Sequence, residues 1–340
     1  AIPAALYYLA LFTQVDLEAA KHHLGGLPAE QIPKFRGVIK LGWVFLIPLA
    51  FLVYVLMWEN WEAGKAGMVT VLLTFVVGAF QKETRPTFQK ILTSIEETGR
   101  TLLDIVVITS LAGLVIGSLQ LSGLTFKLSL ILVSLSGGNV LALLALTAVV
   151  CVLLGMSLPT AVVYITLAVL VGPALAQLGI DPLAAHLFLF YFGMLSLITP
   201  PDCLATYTAA AIARSDFWKT GWTGMRLGIA AYVVPFVFAL HPALIFKGTI
   251  TEILLAVTAS STGTFLLAVG CAGYLFRSLD WLKRGLFILA GALLMLPTWH
   301  GTWLLVDAAG LLLGVGLFFW EKSRSTLETS ASAQPSSFVK

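Results

Sequence analysis

The sequence predicts an all-α polytopic transmembrane helix bundle that contains broken helices and a re-entrant helical hairpin. Of its 340 residues, 59% are hydrophobic and only 11% are charged, and the mean hydropathy is +0.95. Soluble domains carry roughly a quarter charged residues, so this composition excludes an ordinary soluble protein. The net charge of +3 is small and gives no reason to expect a nucleic-acid partner. The partner that the composition indicates is the lipid bilayer.

Long apolar runs supply the predicted membrane helices. A helix needs about 20 apolar residues to cross the hydrocarbon core, and several of these runs are near the lower limit of that length. The runs are 41–57, 66–80, 101–121, 139–156, 160–178, 227–246, 253–275, 285–297 and 303–320. The chain also begins inside an apolar run and without a methionine, so we expect the natural N-terminus upstream of Ala1.

Lysines and arginines in the connecting segments predict the orientation of the bundle. Three connections carry more basic than acidic residues: 21–40, 214–226 and 277–284. The alternating connections are poorer in Lys and Arg, so the positive-inside rule places the three basic ones in the cytoplasm.

Two further segments differ from the apolar runs. Residues 81–100 place apolar residues at helical spacing among charges, which indicates an amphipathic helix on the cytoplasmic face; a solvated connector is the alternative. Residues 323–340 are rich in Ser, Thr and Ala, and we expect them to form a disordered tail.

The run Ser-Leu-Ile-Thr-Pro-Pro-Asp at 196–202 interrupts an apolar segment. Proline lacks the N–H group and disfavours helical geometry in the residue before it, so a helix cannot continue through this run. The apolar stretches on either side, 184–197 and 203–213, are each too short to cross a bilayer. Irregular backbone at membrane depth is tolerated only where it is buried or lines a polar cavity. We therefore predict a re-entrant hairpin over 184–213.

A second break lies at 155–160, where Pro159 separates two apolar runs. A helix interrupted here frees backbone carbonyls, and oxygen is the ligand that hard cations such as Na⁺ prefer. An ordinary proline kink is the alternative interpretation. Because both breaks offer oxygen atoms, we predict that they form one cation site. The predicted site residues, which supply hydroxyls, carbonyls or the broken backbone, are Gly155, Ser157, Pro159, Ser196, Thr199 and Pro200.

The start of the second half of the hairpin is the predicted substrate site. Helix N-termini attract anions, so a substrate carboxylate would lie near the beginning of the helix that follows Cys203. Thr206 and Tyr207 are the nearby donors. Asp202 belongs to the same set as an intramembrane acid, either binding a cation or capping the following helix.

No soluble catalytic signature is present in the sequence. It has no Walker A run, no dinucleotide fingerprint and no HExxH motif, so we predict that the protein is not an enzyme and needs no cofactor. The cysteines Cys151, Cys203 and Cys271 all fall in apolar runs, where buried small side chains are more common than metal ligands. No metal site is predicted beyond the Na⁺ site.

The segment 155–213, with its runs GMSLPT and ITPP, resembles the large membrane subunit of TRAP (tripartite ATP-independent periplasmic) transporters, specifically the fused TAXI type. The opening IPAALYYLALFTQVDLEA, the linker QKETRPT…EETGR and the later GYLFRSLDWLKRGL are also similar to that subfamily. The resemblance thus covers nearly the whole chain, and GMSLPT and ITPP are its most specific parts.

The resemblance implies an elevator-like secondary transporter of the ion-transporter superfamily, which crosses the bacterial inner (cytoplasmic) membrane many times. It implies two protein partners: a periplasmic TAXI-type substrate-binding protein and a small membrane subunit, either separate or fused upstream. By analogy, 184–213 is the second re-entrant hairpin of two inverted halves, of which this chain carries the later one. Family members usually have a small apolar residue where this chain has Asp202.

These observations together predict a permease subunit that imports a small organic acid by Na⁺ or H⁺ symport. The alternatives are a non-transporting membrane scaffold or truncated remnant, and a carrier that works without a binding protein. The predicted organisation is membrane helices in 1–80, the linker helix in 81–100, the transport-type domain in 101–226, C-terminal membrane helices in 227–322 and the tail in 323–340.

Overall fold

The computed structural model describes residues 1–26, 28, 30–32, 34–80, 85, 87–156, 160–296 and 303–332. Within these residues the chain is helical and contains no β-strand, so the predicted all-α fold class is confirmed. The helices are α1 (Ile2–Lys21), α2 (Phe35–Met57), α3 (Ala63–Ala79), α4 (Phe88–Leu121), α5 (Leu124–Ser136), α6 (Val140–Gly155), α7 (Thr160–Leu170), α8 (Gly172–Gln177), α9 (Pro182–Leu195), α10 (Leu204–Ala213), α11 (Phe217–Leu227), α12 (Ile229–Leu240), α13 (Ile250–Ala272), α14 (Trp281–Met295) and α15 (Trp303–Ser332).

Side-chain caps start several of these helices. The Asn139 side chain accepts hydrogen bonds from two backbone N–H groups at the start of α6, and Asp181 does the same for α9. Thr249 and Glu252 form a reciprocal capping box at the start of α13. Each cap satisfies N–H groups that have no partner within the helix, so these polar residues define where the apolar helices begin.

The chain divides into two compact units, 1–24 with 111–340 and 25–110. In the smaller unit, α2 packs against α3. In the larger unit, one apolar core joins α6, α7, α9 and α12, with side chains such as Leu143, Phe188 and Phe238 fully buried. The helices α13, α14 and α15 pack against one another beside this core.

The position of α1 differs from the predicted organisation, which placed it with 1–80. Instead α1 packs against α12 and α13 in the larger unit. Gln14 donates to the carbonyl of Leu227 at 3.0 Å, and Glu18 pairs with Arg226 at 3.2 Å. Apolar periodicity shows that a helix has a buried face but does not say which helix covers it, so the sequence did not predict this packing of α1.

Two helix boundaries in the structure also differ from the predicted ones. The predicted linker helix and the run 101–121 share one continuous helix, α4, which begins at Phe88; residues 81–84 and 86 lie outside the described residues. The predicted tail is helical as far as Ser332, because α15 continues past the apolar run, and 333–340 lie outside the described residues. Both differences have one physical cause: once a helix is nucleated, each further residue is added at little cost.

Two stretches in the described part of the chain are helical, long and apolar enough to cross a membrane, Phe217–Leu240 and Ile250–Ala272. Many other apolar helices have only 10–17 residues. Large apolar side chains are nevertheless exposed on them, including Met57, Leu153 and Ile212, each more than 60% exposed. Exposed large apolar side chains in such number are uncommon in soluble proteins and indicate contact with lipid or protein.

Candidate functional site

The break after α9 is present in the structure. The helix ends at Leu195, a single 3-10 turn follows at Ser196–Ile198, and regular helix resumes only at Leu204. Thr199 has an extended backbone, with φ −99° and ψ 119°, as expected for a residue before proline. The helix–break–helix arrangement that the sequence predicted for 184–213 is therefore formed; its re-entrant placement in a membrane stays a prediction.

The two predicted breaks meet at Gly155 and Ser196. The Ser196 side chain is 1% exposed, and its Oγ lies 2.9 Å from the Gly155 carbonyl oxygen and 2.7 Å from that of Gly193. A hydroxyl has one proton, so it donates to one of these carbonyls at a time. The end of α6, where carbonyls lack partners within the helix, is thus held against the end of α9. Ser157 and Pro159 lie outside the described residues.

Glycine makes this approach of the two helices feasible. A Cβ atom at Gly155 would lie 2.7 Å from the Gly193 carbonyl oxygen and 3.0 Å from Ser196 Oγ. Both distances are shorter than ordinary van der Waals contact, and the first involves backbone that cannot rotate away. The predicted site residue Gly155 therefore acts by allowing close approach as well as by offering its carbonyl.

Thr199 is held by a second helix. Its Oγ1 donates to the Leu195 carbonyl at 2.5 Å and lies 2.6 Å from the hydroxyl of Tyr232 on α12. Because the Thr199 proton serves Leu195, the Tyr232 hydroxyl donates to Thr199. Tyr232 was not among the predicted site residues. The available signal was a tyrosine in an otherwise apolar run, since a buried hydroxyl needs a partner.

The predicted substrate residues turn back toward the break. Thr206 Oγ1 donates to the Cys203 carbonyl at 2.9 Å, and the Tyr207 hydroxyl donates to the Pro201 carbonyl at 2.8 Å. Their protons are thus used by the local backbone, whereas the hydroxyl oxygens keep acceptor capacity. Asp202 is half-buried beside them, and Pro200 lies in the same irregular segment.

Gly221 and Gly224 on α11, and Gly228 directly after it, let the chain pack closely across this segment. A Cβ at Gly221 would lie 3.0 Å from Cys203 Sγ, one at Gly224 would overlap the Thr206 side chain, and one at Gly228 would lie 2.8 Å from Ile198 Cδ1. Spacings of three and four residues place small residues on one helix face, as in closely packed membrane helices. Sequence reasoning missed this covering helix, although its glycine spacing was visible.

Apart from the Asp202 carboxylate, the oxygen atoms described at the breaks come from uncharged groups. Among the described residues, no three His, Cys, Asp or Glu side chains come together in a way that would hold a metal ion. The carbonyls of Gly155 and Gly193 and the hydroxyl of Ser196 instead form a neutral oxygen cluster. The Thr199 hydroxyl, with the Leu195 carbonyl, supplies further neutral oxygens at the break after α9. Neutral oxygens suit a hard monovalent cation, whose single charge does not demand several carboxylates.

An all-α fold with exposed apolar helices and two adjoining breaks that present backbone and hydroxyl oxygens defines a membrane protein of the transporter class. The chain belongs to the family described as the tripartite ATP-independent periplasmic transporter, DctM component, whose sequence profile matches residues 1–253. This range contains α1 to α12 and both breaks, while α14 and α15 lie beyond it. Comparisons with curated proteins and with solved structures returned no match.

The family assignment confirms part of the resemblance seen in the sequence. The chain is a membrane-embedded transporter component of the TRAP type, and components of this family work with a periplasmic binding protein and a small membrane subunit. The family is a transporter family and not an enzyme family.

Proposed function

We propose that this protein is the permease component of a binding-protein-dependent secondary transporter that imports a small organic acid by Na⁺ symport. Membership of the DctM family supports the general activity. The observation that supports Na⁺ as the coupling ion is the contact between the two breaks, where Ser196 Oγ bridges the Gly155 and Gly193 carbonyls. Unwound backbone and helix-end carbonyls of this kind coordinate Na⁺ in other secondary transporters.

The cation would be held by the carbonyl of Gly155 and the hydroxyls of Ser196 and Thr199, with Ser157 as a further oxygen donor. Pro159 and Pro200 would each prevent a continuous helix, which would leave backbone carbonyls free for the cation. H⁺ is the second candidate ion, because Asp202 is an ionisable group at the same break. The substrate carboxylate would lie near the N-terminus of α10, where backbone N–H groups would donate to it. The Thr206 and Tyr207 hydroxyls would donate as well only by exchanging their backbone carbonyl partners for the carboxylate.

The finer assignments follow from the same proposal. The sequence similarity points to the TAXI type, and hence to a TAXI-type periplasmic binding protein and a small membrane subunit, in a bacterial cytoplasmic membrane. Residues 101–226 would carry the moving transport elements, because both breaks and the covering helix α11 lie there.

Reconstitution tests this function directly. The protein is placed in proteoliposomes with its small membrane subunit and its periplasmic binding protein, and uptake of radiolabelled glutamate and C4 and C5 dicarboxylates is followed with and without an inward Na⁺ gradient. We expect uptake that needs both the gradient and the binding protein. Equal uptake without the binding protein would favour a carrier that works alone, whereas an equal response to a proton gradient would favour H⁺.

The rival function, a non-transporting membrane scaffold, predicts no uptake of any of these acids under any gradient. Ser196→Ala provides the internal control, because it removes the hydroxyl between the two breaks without adding volume. Uptake that is identical in wild type and Ser196→Ala at every Na⁺ concentration would contradict the cation site while leaving the transport function standing.

A further inference from the structure

A groove of about 500 Å³ lies between α12, α13, α14 and α15. None of the residues of the two breaks lines it. Its walls are mainly aliphatic, with Leu255, Leu294 and Leu311 on three different helices. Small-molecule sites measure roughly 300–1,000 Å³ and combine apolar walls with a few polar groups, so the groove has the size and lining of an organic ligand site.

The charges in the groove are acidic. Asp307 on α15, Glu252 on α13 and His241 after α12 are its titratable groups, and no lysine or arginine is among the described residues that line it. Glu252 already serves the capping box, since its Oε2 accepts the N–H of Thr249 at 2.8 Å. Asp307 differs: its Oδ1 is buried and has no hydrogen-bond partner among the described residues.

Two threonine hydroxyls on the groove wall donate to backbone carbonyls and not to Asp307. Thr258 Oγ1 donates to the Leu254 carbonyl at 2.9 Å, and Thr262 Oγ1 donates to the Thr258 carbonyl at 2.9 Å. A carboxylate oxygen without a partner in apolar surroundings is costly, and acids inside membrane helices are usually functional. A cation in the groove would remove this cost.

We propose that this groove binds an organic ammonium ion with an apolar body. The ammonium group would donate to Asp307, and the body would pack against Leu255, Leu294 and Leu311. The charge of this ligand is opposite to that of the organic acid under "Proposed function", so the site is a separate one and does not rest on that function. Asp307 and α14 also lie outside the residues matched by the family profile.

Protection of an engineered cysteine tests the proposal. Ala308 lines the groove next to Asp307 and is exposed, so Ala308→Cys reports on occupancy through its rate of labelling by N-ethylmaleimide. The variant is made in a protein that also carries Cys271→Ala. Cys271 is the native cysteine that is partly exposed, whereas Cys151 and Cys203 are fully buried and can stay. The protein is held in phosphatidylglycerol nanodiscs, whose headgroups contain no amine. The probes are phenethylammonium, the neutral 2-phenylethanol and the anionic phenylacetate.

We expect phenethylammonium to slow the labelling of Cys at position 308 at lower concentration than either matched probe. Asp307→Asn keeps the side-chain shape and removes the charge, and it should weaken this protection about tenfold, the usual effect of losing a charge-assisted hydrogen bond. Asp280→Asn is the matched control and should change nothing, because that side chain is 81% exposed and lies before α14.

Three results would overturn the proposal. The first is labelling that phenethylammonium does not slow, and the second is equal protection by 2-phenylethanol, which would show a purely apolar groove. The third is slower labelling of the cysteine when phosphatidylethanolamine replaces phosphatidylglycerol, while phenethylammonium has no effect. That result would assign the groove to a lipid headgroup. The probe comparison is made on protein with Asp307 intact, so it stands even if Asp307→Asn fails to fold.

Discussion

Individual hydroxyl groups determine the chemistry of the two breaks. Ser196 and Thr199 were predicted as cation ligands from their place beside Pro200, and both use their protons locally, toward Gly193 or Gly155 and toward Leu195. A hydroxyl whose proton is committed presents its lone pairs in a fixed direction. The local hydrogen bonds therefore orient the oxygens as acceptors, which is the role that a cation site requires.

Thr199→Val removes one of these oxygens while preserving the shape of the side chain. We expect the Na⁺ concentration for half-maximal uptake to rise about tenfold, because one ligand and its hydrogen bond to Tyr232 are lost. Thr208→Val is the matched control, since Thr208 makes the same bond to a carbonyl four residues earlier, at 2.9 Å, but within α10. Unchanged Na⁺ dependence in Thr199→Val, or an equal change in Thr208→Val, would be inconsistent with a ligand role.

Gly155→Ala tests the close approach of the breaks. The added Cβ would lie 2.7 Å from the Gly193 carbonyl oxygen, and forced overpacking of this kind costs about 1–3 kcal/mol. We expect a lower midpoint of thermal unfolding in detergent, together with weaker Na⁺ dependence of uptake. Gly316→Ala, within α15, is the control, because a Cβ there meets no neighbouring atom within 4 Å. Equal stability of the two variants would contradict the packing described.

At the scale of helices, the arrangement depends on where each helix stops. The prolines at 200 and 201 prevent α9 from running into α10, and α11 covers the gap through its glycine face. The sequence alone predicted that α9 ends here, because proline restricts the backbone of its immediate neighbours. It did not predict that α11 packs over the break, because contact between α10 and α11 depends on the direction that the chain takes after Ala213.

Replacing both prolines tests whether transport requires the break between α9 and α10. In Pro200→Ala with Pro201→Ala the backbone regains two N–H groups and helical freedom, so we expect the helix to extend through the break and uptake to be lost. Pro182→Ala is the control, since a proline in the first turn of a helix sacrifices no hydrogen bond. Normal uptake by the double variant would count against an obligatory break.

At the scale of the whole chain, ion pairs tie together segments that are distant in sequence. Asp181, before α9, lies 2.5 Å from Lys247, before α13. At the other end of α13, the buried Glu321 accepts a hydrogen bond from Arg277 at 2.7 Å and lies 2.7 Å from Lys283. The Asp181 pair links the start of α13 to the start of α9, and the Glu321 pairs link α15 to the chain between α13 and α14 and to the first turn of α14.

The Asp181 pair predicts a defined pH dependence of stability. The hydrogen bond from Lys247 lowers the pKa of Asp181, so the pair stabilises the fold above the unfolded-state pKa of about 3.9 and is lost as pH falls through the lower folded-state value. Because Lys247 is 47% exposed, solvent screening limits the gain to under about 1 kcal/mol.

Lys247→Met should therefore lower the thermal midpoint slightly at pH 7, and its difference from wild type should shrink below about pH 4. Lys219→Met, at an exposed lysine at the start of α11, is the control and should leave the midpoint unchanged at both pH values. A difference between wild type and Lys247→Met that is constant with pH would contradict the pair.

The sequence by itself determined the features that depend on near neighbours: the all-α class from composition, the breaks from proline, and the hydroxyls and carbonyls placed beside them. The tertiary structure alone decided which breaks meet, that α1 joins α12 and α13, that Tyr232 holds Thr199, and that Asp307 faces a groove. The physical reason is the range of the forces involved. Backbone sterics act within a few residues, whereas packing joins surfaces whose partners lie tens or hundreds of positions away and leave no local pattern.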